Sequence, residues 1–345
     1  MRPESDAPRA GWQTGAMLPA VSDLLDTAHV VALPLVTRFR GILVREALLM
    51  RGPFGWTEFS PFTEYDDDES AAWLRAAIDF GWHEAPPILR DSIPVNATVP
   101  AVTADQVAGV LARFPGVRTA KVKVADPGQT LAEDVARVRA VREAMGPEGR
   151  IRVDANALWN VDEAEHAIHA LAEYDLEYVE QPCATVDELA EIRRRTEYLG
   201  VPIAADESVR KATDPLAVAR AGAADILVIK AQPLGGVHAA LRIVEEAGLP
   251  VVISSALDTS IGISMGAHLA ASFADLEYDC GLGTAALLAA DVTDTPLLPE
   301  AGSIGVRRVE VSRALLAQHA ASGERRDWWL ARLERCYRKI EGLQP

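Results

Sequence analysis

From His29 onward the apolar residues come in short alternating runs. "HVVALPLV", "GILVREALLM" and "WTEFSPF" read as strands, parted by the turn-prone pairs Arg40-Gly41 and Gly52-Pro53. The period then changes. Over "SAAWLRAAIDFGW" apolar side chains recur at three and four residues, which predicts a helix. The acids Asp66, Asp67, Asp68 and Glu69 precede it, where a helix N-terminus favours negative charge.

After Pro94 the texture is different. Eight Val/Ile/Ala-rich runs follow: "PVNATVP", "AKVKV", "RIRVDAN", "LEYVEQP", "PIAADES", "DILVIKAQ", "PVVISSA" and "LEYDCG". Between them lie helical patterns such as "TLAEDVARVRAVREAMG" and "VDEAEHAIHALAEYD". Eight strands with intervening helices predict an α/β fold with a parallel sheet, most economically a closed barrel, with an open sheet as the alternative. The expected organisation is a disordered arm over 1–22, a small α+β domain over 23–93, the barrel over 94–300, and a C-terminal segment over 301–345. Met17 offers an alternative start within the arm, which lacks the apolar stretch of a secretory signal.

Several of these runs end on a charged residue, and the charges keep a phase. The steps Lys123–Asp154, Asp154–Glu180, Glu180–Asp206, Asp206–Lys230 and Lys230–Ser254 are 31, 26, 26, 24 and 24 residues. Each approximates one strand-helix unit, so a polar residue recurs at the carboxyl end of successive strands, the end at which barrel active sites open. Side chains alternate along a strand, which puts Arg152 with Asp154, Tyr178 with Glu180, and Lys121 with Lys123 on shared faces. Three carboxylates converging in a cavity demand a cation. A hard divalent ion, Mg²⁺ above all, suits oxygen donors, and the absence of histidine from these strand ends weighs against zinc.

Lysines complete the pattern. Lys121-Val122-Lys123 stands one strand before the acids and Lys230 one strand after. A metal flanked by lysines suits removal of a proton α to a carboxylate: the ion stabilises the enolate while a lysine takes the proton. A second ammonium two residues away depresses the base's pKa, although Lys121 could instead serve one of the acids as a partner. Glu207 points away from Asp206 and reads as a supporting residue, as does Asn156, which could equally serve a turn. His166 and His169 lie on an acidic amphipathic helix as a solvated face, Gly235-Gly236 as a tight turn, and Trp328-Trp329 as packing.

Composition narrows the partners. The chain has 345 residues, 49% of them hydrophobic, enough for one barrel plus an accessory domain. A formal charge of −16 excludes nucleic acid and anionic membrane, so an anionic substrate needs a locally positive pocket. Cys183, Cys280 and Cys336 are scattered and odd in number, which suggests neither disulfides nor zinc and fits a reducing cytoplasm. No apolar run approaches the ~20 residues of a membrane helix.

The motifs "AKVKV", "RVDAN", "YVEQP", "ADES" and "VIKAQPLGG", in this order, resemble the muconate-lactonising branch of the enolase superfamily over roughly residues 28 to 300. The resemblance implies a (β/α)7β barrel under an N-terminal α+β cap that the C-terminal segment completes. It implies Asp154, Glu180 and Asp206 as ligands of a divalent cation, Mg²⁺, with Lys123 as principal acid/base, Lys121 as its partner and Lys230 facing it across the ring. The stretch "GWTEFSPFTEYDDDESAAWLRAA" is similar to the cap of the actinobacterial o-succinylbenzoate synthases. In that family a cyclohexadiene carboxylate is dehydrated during menaquinone synthesis. Ser254, Ser255, Ser260 and Gly262 would then anchor the succinyl carboxylate, and Arg152 could touch a carboxylate too. Racemisation of N-acylamino acids and muconate cycloisomerisation use the same metal and lysines and stay open. "LEYDCGLGT" lacks the Asp-X-Asp pair of dipeptide epimerases. Two further classes remain: a Schiff-base aldolase using Lys230, and an inert barrel serving as a binding protein. The expected partner is a small carboxylate; the sequence does not fix an oligomeric state.

Overall fold

The structure, a computed structural model, describes residues 18–211 and 214–342. Most of the expected arm 1–22, Met17 included, lies outside the described residues. Its end differs from expectation. Val21 opens helix α1 (Val21–Leu25), and Leu18, Val21 and Leu25 pack on the core. Four apolar side chains in eight residues, Leu24 fully buried among them, are enough to tie this stretch down.

The cap begins as an antiparallel sheet of β1 (His29–Phe39), β2 (Ile42–Gly52) and β3 (Gly55–Phe59) in that order. Arg40 and Gly41, at φ 48 and 80, make the tight β1–β2 turn. Helix α2 (Asp67–Trp82) covers the sheet with Trp73, Leu74, Ala77 and Phe80 buried. The acidic run is structural. Asp66 accepts from the amide of Glu69 at 2.8 Å, while Asp67 and Asp68 pair with Arg335 and Lys339 at 2.7 and 2.6 Å.

After β4 (Ser92–Pro94) strand and helix alternate: β5 (Ala97–Val99) and α3 (Val107–Leu111), β6 (Thr119–Lys123) and α4 (Leu131–Met145), β7 (Arg150–Asp154) and α5 (Val161–Leu171). Next come β8 (Leu176–Glu180) and α6 (Val186–Thr196), then β9 (Ile203–Ala205) with two short helices, α7 (Glu207–Arg210) and α8 (Ala217–Arg220). β10 (Ile226–Lys230) with α9 (Val237–Ala247) and β11 (Val251–Ser254) with α10 (Ser260–Ala271) complete the series. Helices α4, α5 and α6 each open on a capping box, Thr130/Glu133, Asn160/Glu163 and Thr185/Glu188, which fixes where the chain leaves each loop.

Strands β5 to β11 lie side by side in chain order, all parallel. The run "LEYDCG" makes only single bridges and no ladder, yet it closes the ring. Cys280 bridges to Val95 beside β5, and Gly281 bridges to Ser254 at the end of β11. Any side chain at 281 would collide with Ser254. The result is the α/β barrel with a cap that the strand pattern predicts.

The C-terminal segment returns to the cap. β12 (Ser303–Gly305) pairs with β4, and α11 (Arg313–Gln318) leads to α12 (Gly323–Glu341). Trp329 is buried edge-on against Phe59 and donates to Glu46 at 2.8 Å. Arg332, 1% exposed, reaches the carbonyls of Phe62 and Tyr65 at 3.0 and 2.6 Å and the Ser70 hydroxyl at 2.7 Å. Arg332→Ala strands these acceptors, so we expect it to lower unfolding free energy by about 2–4 kcal/mol, read from the urea midpoint. A loss below about 0.5 kcal/mol, the range of ordinary surface changes, would show that α12 is not held through this side chain.

Candidate active site

Strand register brings the charged residues together. Lys123 lies opposite Asp154, and Asp154 opposite Glu180. Glu180 is opposite Ala204, so Asp206, two residues on, continues the row at the end of β9. All three acids are completely buried. Lys121 lies between two of them, 2.9 Å from Glu180 Oε1 and 3.3 Å from Asp154 Oδ2. Lys123 is ion-paired with Asp154 and donates to Asn156 Oδ1 at 2.8 Å. Lys230 donates to Asp206 at 2.5 Å. β10 is four strands round from β6 in a ring of eight, so Lys230 and Lys123 stand on opposite walls.

Burial and charge oppose each other at every one of these groups. Burial alone would raise the Asp154 carboxyl, but the ammoniums of Lys123 and Lys121 hold it well below the usual range. Asp206 is likewise held low against burial by Lys230 and Arg210. Glu180 is the exception. Burial and the charge of Asp154 outweigh Lys121 and push it up to about 7. Burial would lower Lys121, yet Glu180 and Asp154 raise it above its ordinary value. Lys123 is lowered, chiefly by burial and further by Lys121, with Asp154 opposing. The two lysines thus shift in opposite directions, and Lys121 lowers its neighbour by less than burial does.

The flanking residues hold this set in place. Asn156, at φ 46, uses both of the roles its sequence position allowed: it turns the chain and bridges Lys123 to Glu207, donating to Glu207 at 3.3 Å. Glu207 also accepts from Arg210 at 2.7 Å. Arg210, which the sequence pattern did not single out, donates through Nε to Asp206 at 3.1 Å. It stands four residues after Asp206 in "DESVR", one helical turn away, a spacing that could have found it. Gln181 accepts from the amides of Asp206 and Ser208 at 2.9 and 3.1 Å, orienting the β9 end.

Lys121, Lys123, Asn156, Lys230, Ser254 and Ser255 face one cavity. It is narrow, about 40 Å³, and shares Phe39, Arg40, Lys123 and Asn156 with an adjoining chamber of about 570 Å³. The cap supplies Phe39 and Arg40 from the β1–β2 turn; Thr98 and Thr284 come from the barrel. None of these four was legible as a site residue. The buried hydroxyl of Thr98, which neighbours Lys121 in register, has no hydrogen-bond partner. Arg40, Lys121, Lys123, Arg210 and Lys230 make the pocket cationic, as an acidic chain with an anionic substrate requires.

Three expected anchors lie elsewhere. Arg152 points inward but one layer deeper, where its guanidinium pairs with Glu177, donates to the carbonyl of Asp279 at 2.7 Å and packs on Tyr178. Strand alternation gives the face of a residue, not its depth. Ser260 donates its hydroxyl to Asp291 at 2.6 Å and accepts from the amide of Leu297 at 2.8 Å, tying α10 to the later chain. Gly262 donates its amide to Glu58 of the cap at 3.0 Å. A Cβ there would lie 2.7 Å from that of Asp258, so packing demands the glycine.

Among the described residues, no three His, Cys, Asp or Glu side chains are drawn together tightly enough to hold an ion as they stand. Lysine ammoniums close on the acids instead. The donor chemistry fits a hard cation nonetheless. Asp154, Glu180 and Asp206 are buried oxygen donors from neighbouring strands, and Glu180 is the acid whose charge is least compensated.

Residues 103–309 match the family described as enolase C-terminal domain-like, and residues 30–81 the one described as enolase N-terminal domain-like. An o-succinylbenzoate synthase of Mycobacterium marinum is 56% identical over 316 residues, 91% of this chain and 94% of that protein. One of Thermobifida fusca is 58% identical over 295 residues, 85% of this chain and 91% of the other. Muconate lactonizing enzyme from Pseudomonas fluorescens superposes with a TM-score of 0.73 at 20% identity, over 86% of this chain and 98% of that one. N-succinyl Arg/Lys racemase from Bacillus cereus superposes at 0.71 and 21%, over 86% and 97%. At that identity the two structures speak to the fold alone. The barrel and cap agree with those folds, and the synthases share more than half of their aligned residues over most of both chains. On that ground the chain belongs to the o-succinylbenzoate synthase family, in the muconate-lactonising branch of the enolase superfamily.

Proposed function

We propose that this protein is a carbon–oxygen lyase that dehydrates 2-succinyl-6-hydroxy-2,4-cyclohexadiene-1-carboxylate to o-succinylbenzoate in menaquinone synthesis. The observation that carries the chemistry is the pair of lysines on opposite walls flanking three buried acids. The relatives named o-succinylbenzoate synthase, at 53–58% identity, support this substrate over the racemase and cycloisomerase alternatives, which resemble the chain at only 20–22%. Lys230, closed on Asp206, is placed as a cation more than as a Schiff-base nucleophile. The three cysteines are buried free thiols, which supports a reducing, cytoplasmic setting.

Enzymes of this superfamily use a divalent metal. Mg²⁺ held by Asp154, Glu180 and Asp206 would supply, when bound, positive charge against the substrate carboxylate and the enolate that develops from it. The chain's own groups do the rest. Lys123, whose charged form burial disfavours, takes the α-proton. It then returns that proton to the departing hydroxyl on the same face, and water leaves as the ring becomes aromatic. Lys230 faces the ring from the other wall and stabilises its negative charge. Lys121 stays charged between Glu180 and Asp154. Asn156 steadies the Lys123 amine, and Arg210 fixes Asp206. Ser254, with Arg40 from the cap, would receive the succinyl carboxylate, and Ser255, whose hydroxyl donates to the Gly281 carbonyl at 2.7 Å, would shape the wall beside it.

The direct test is turnover of this diene carboxylate beside N-succinyl amino acids, with Mg²⁺ and with EDTA. Dehydration should dominate and EDTA should abolish it; racemisation without dehydration would replace the proposal. Lys123→Ala should cut turnover by roughly 10³-fold, the scale of a lost acid/base group, with an unchanged circular dichroism spectrum. Near-normal turnover would remove Lys123 from that role.

Metal binding should also depend on pH. Glu180 is pushed up to about 7, so it carries a proton below that pH which a cation must displace. Mg²⁺ affinity is therefore expected to rise as pH increases through about 7 and to level off above it. Calorimetry in buffers of different ionisation enthalpy should detect proton release at pH 6 and little at pH 8.5. Affinity independent of pH over that interval would show that Glu180 is already ionised there and that no proton has to leave it for the cation to bind.

A further inference from the structure

A buried polar cluster at the seam between cap and barrel takes no part in the chemistry above. From β2, Arg45 donates through Nε to the carbonyl of Leu257 at 3.0 Å and through Nη2 to that of Ala256 at 3.3 Å. From β3, Glu58 accepts from the amides of Thr259 and Gly262 at 3.2 and 3.0 Å and from the Thr259 hydroxyl at 2.6 Å. Ser60 links the two, donating to Glu58 at 2.6 Å and accepting from Arg45 at 3.0 Å. Arg45 and Glu58 are 2% and 0% exposed.

The loop so held joins β11 to α10. A guanidinium of the cap takes its carbonyls, and a carboxyl of the cap takes the amides at the helix start. The same loop is a wall of the active site, which Ser255, Ala256 and Leu257 line. Leu257 sits at φ 62, a conformation that a non-glycine residue keeps only where its surroundings impose it. Arg45, bonded to the Leu257 carbonyl, is one of the groups that impose it.

We infer that Arg45 and Glu58 are positioning residues through which the cap sets the wall that receives the carboxylate-bearing side chain of the substrate. They act on affinity and on the choice of side chain. The proton transfers, made by lysines on other strands, depend on them little. This rests on the dehydration proposed above.

The test is steady-state kinetics on the full-length enzyme with Mg²⁺ for Glu58→Gln, Thr259→Val and Thr259→Ser. Glu58→Gln and Thr259→Val should raise KM about tenfold, the scale of one or two lost buried hydrogen bonds (the Thr259 hydroxyl also caps α10 by accepting from the Ile261 amide), with kcat within about threefold. Thr259→Ser, which keeps the hydroxyl, should stay within about twofold of the parent KM. If Glu58→Gln does not fold, the Thr259 pair decides. A KM unmoved in a folded Thr259→Val, or a loss confined to kcat, overturns the inference and leaves the cluster a domain joint. Should the parent enzyme fail to turn over the diene carboxylate, the proposed reaction falls by itself. Amide exchange over 255–262 then still tests the clamp: faster exchange in Thr259→Val than in Thr259→Ser supports it, and equal exchange overturns it.

Discussion

Three carboxylates without access to water, carried on adjacent strands, cannot all keep their charge unless cations are fixed within a few ångströms. Asp154, Glu180 and Asp206 are in that position, and the surrounding structure is arranged around it. Lys121 is locked between two of the acids, Lys230 on the third, and Arg210 reaches back one helical turn to Asp206. The compensation is uneven. Glu180 remains near 7 while its two partners are held low. A site built of structural salt bridges alone would gain nothing from burying acids in this way, since apolar residues of the same volume pack there at lower cost. Retaining them makes sense where a further cation is to be bound and its charge used.

The same constraint separates two lysines that the sequence presents as equivalents. Lys121 and Lys123 are two residues apart on one strand face, yet the deeper one is raised and the shallower one lowered. Depth decides. Lys121 meets two carboxylates; Lys123 meets one and sits beside the Asn156 amide. On the proposed reading, one face of one strand would thereby provide a lysine held charged and a second whose charge burial disfavours, the division of labour that proton abstraction near neutral pH uses.

Much of this was legible from spacing. Polar residues returning once per strand-helix unit marked the strand ends. What spacing could not show was distance across the fold. Arg152 shares its face with Asp154 but lies a layer lower, and Ser260 and Gly262 sit in the correct loop while facing other partners. Arg40 and Phe39 reach the cavity from a hairpin more than 80 residues before Lys123, and no local pattern marks them. The eighth run, "LEYDCG", was legible as a strand and closes the barrel, though only through the single bridges of Cys280 and Gly281.

Some of these misreadings lie inside the barrel, as with Arg152 and Thr98, but several lie where cap, barrel and C-terminal helix meet. Arg332 of α12 holds the turn carrying Phe62 and Tyr65, and Phe62 carries the guanidinium of Arg40 at 4.3 Å from its ring. Arg45, on the same ring at 4.4 Å, holds the β11–α10 loop. The cap is therefore joined to the pocket through a few buried arginines, each spending its donors on backbone carbonyls. Such contacts specify position with little regard for side-chain identity. The catalytic row is fixed by the barrel's own register, whereas the shape of the pocket it serves is fixed from outside the barrel, so the acids and lysines can stay constant while the wall that meets the substrate's side chain is free to differ.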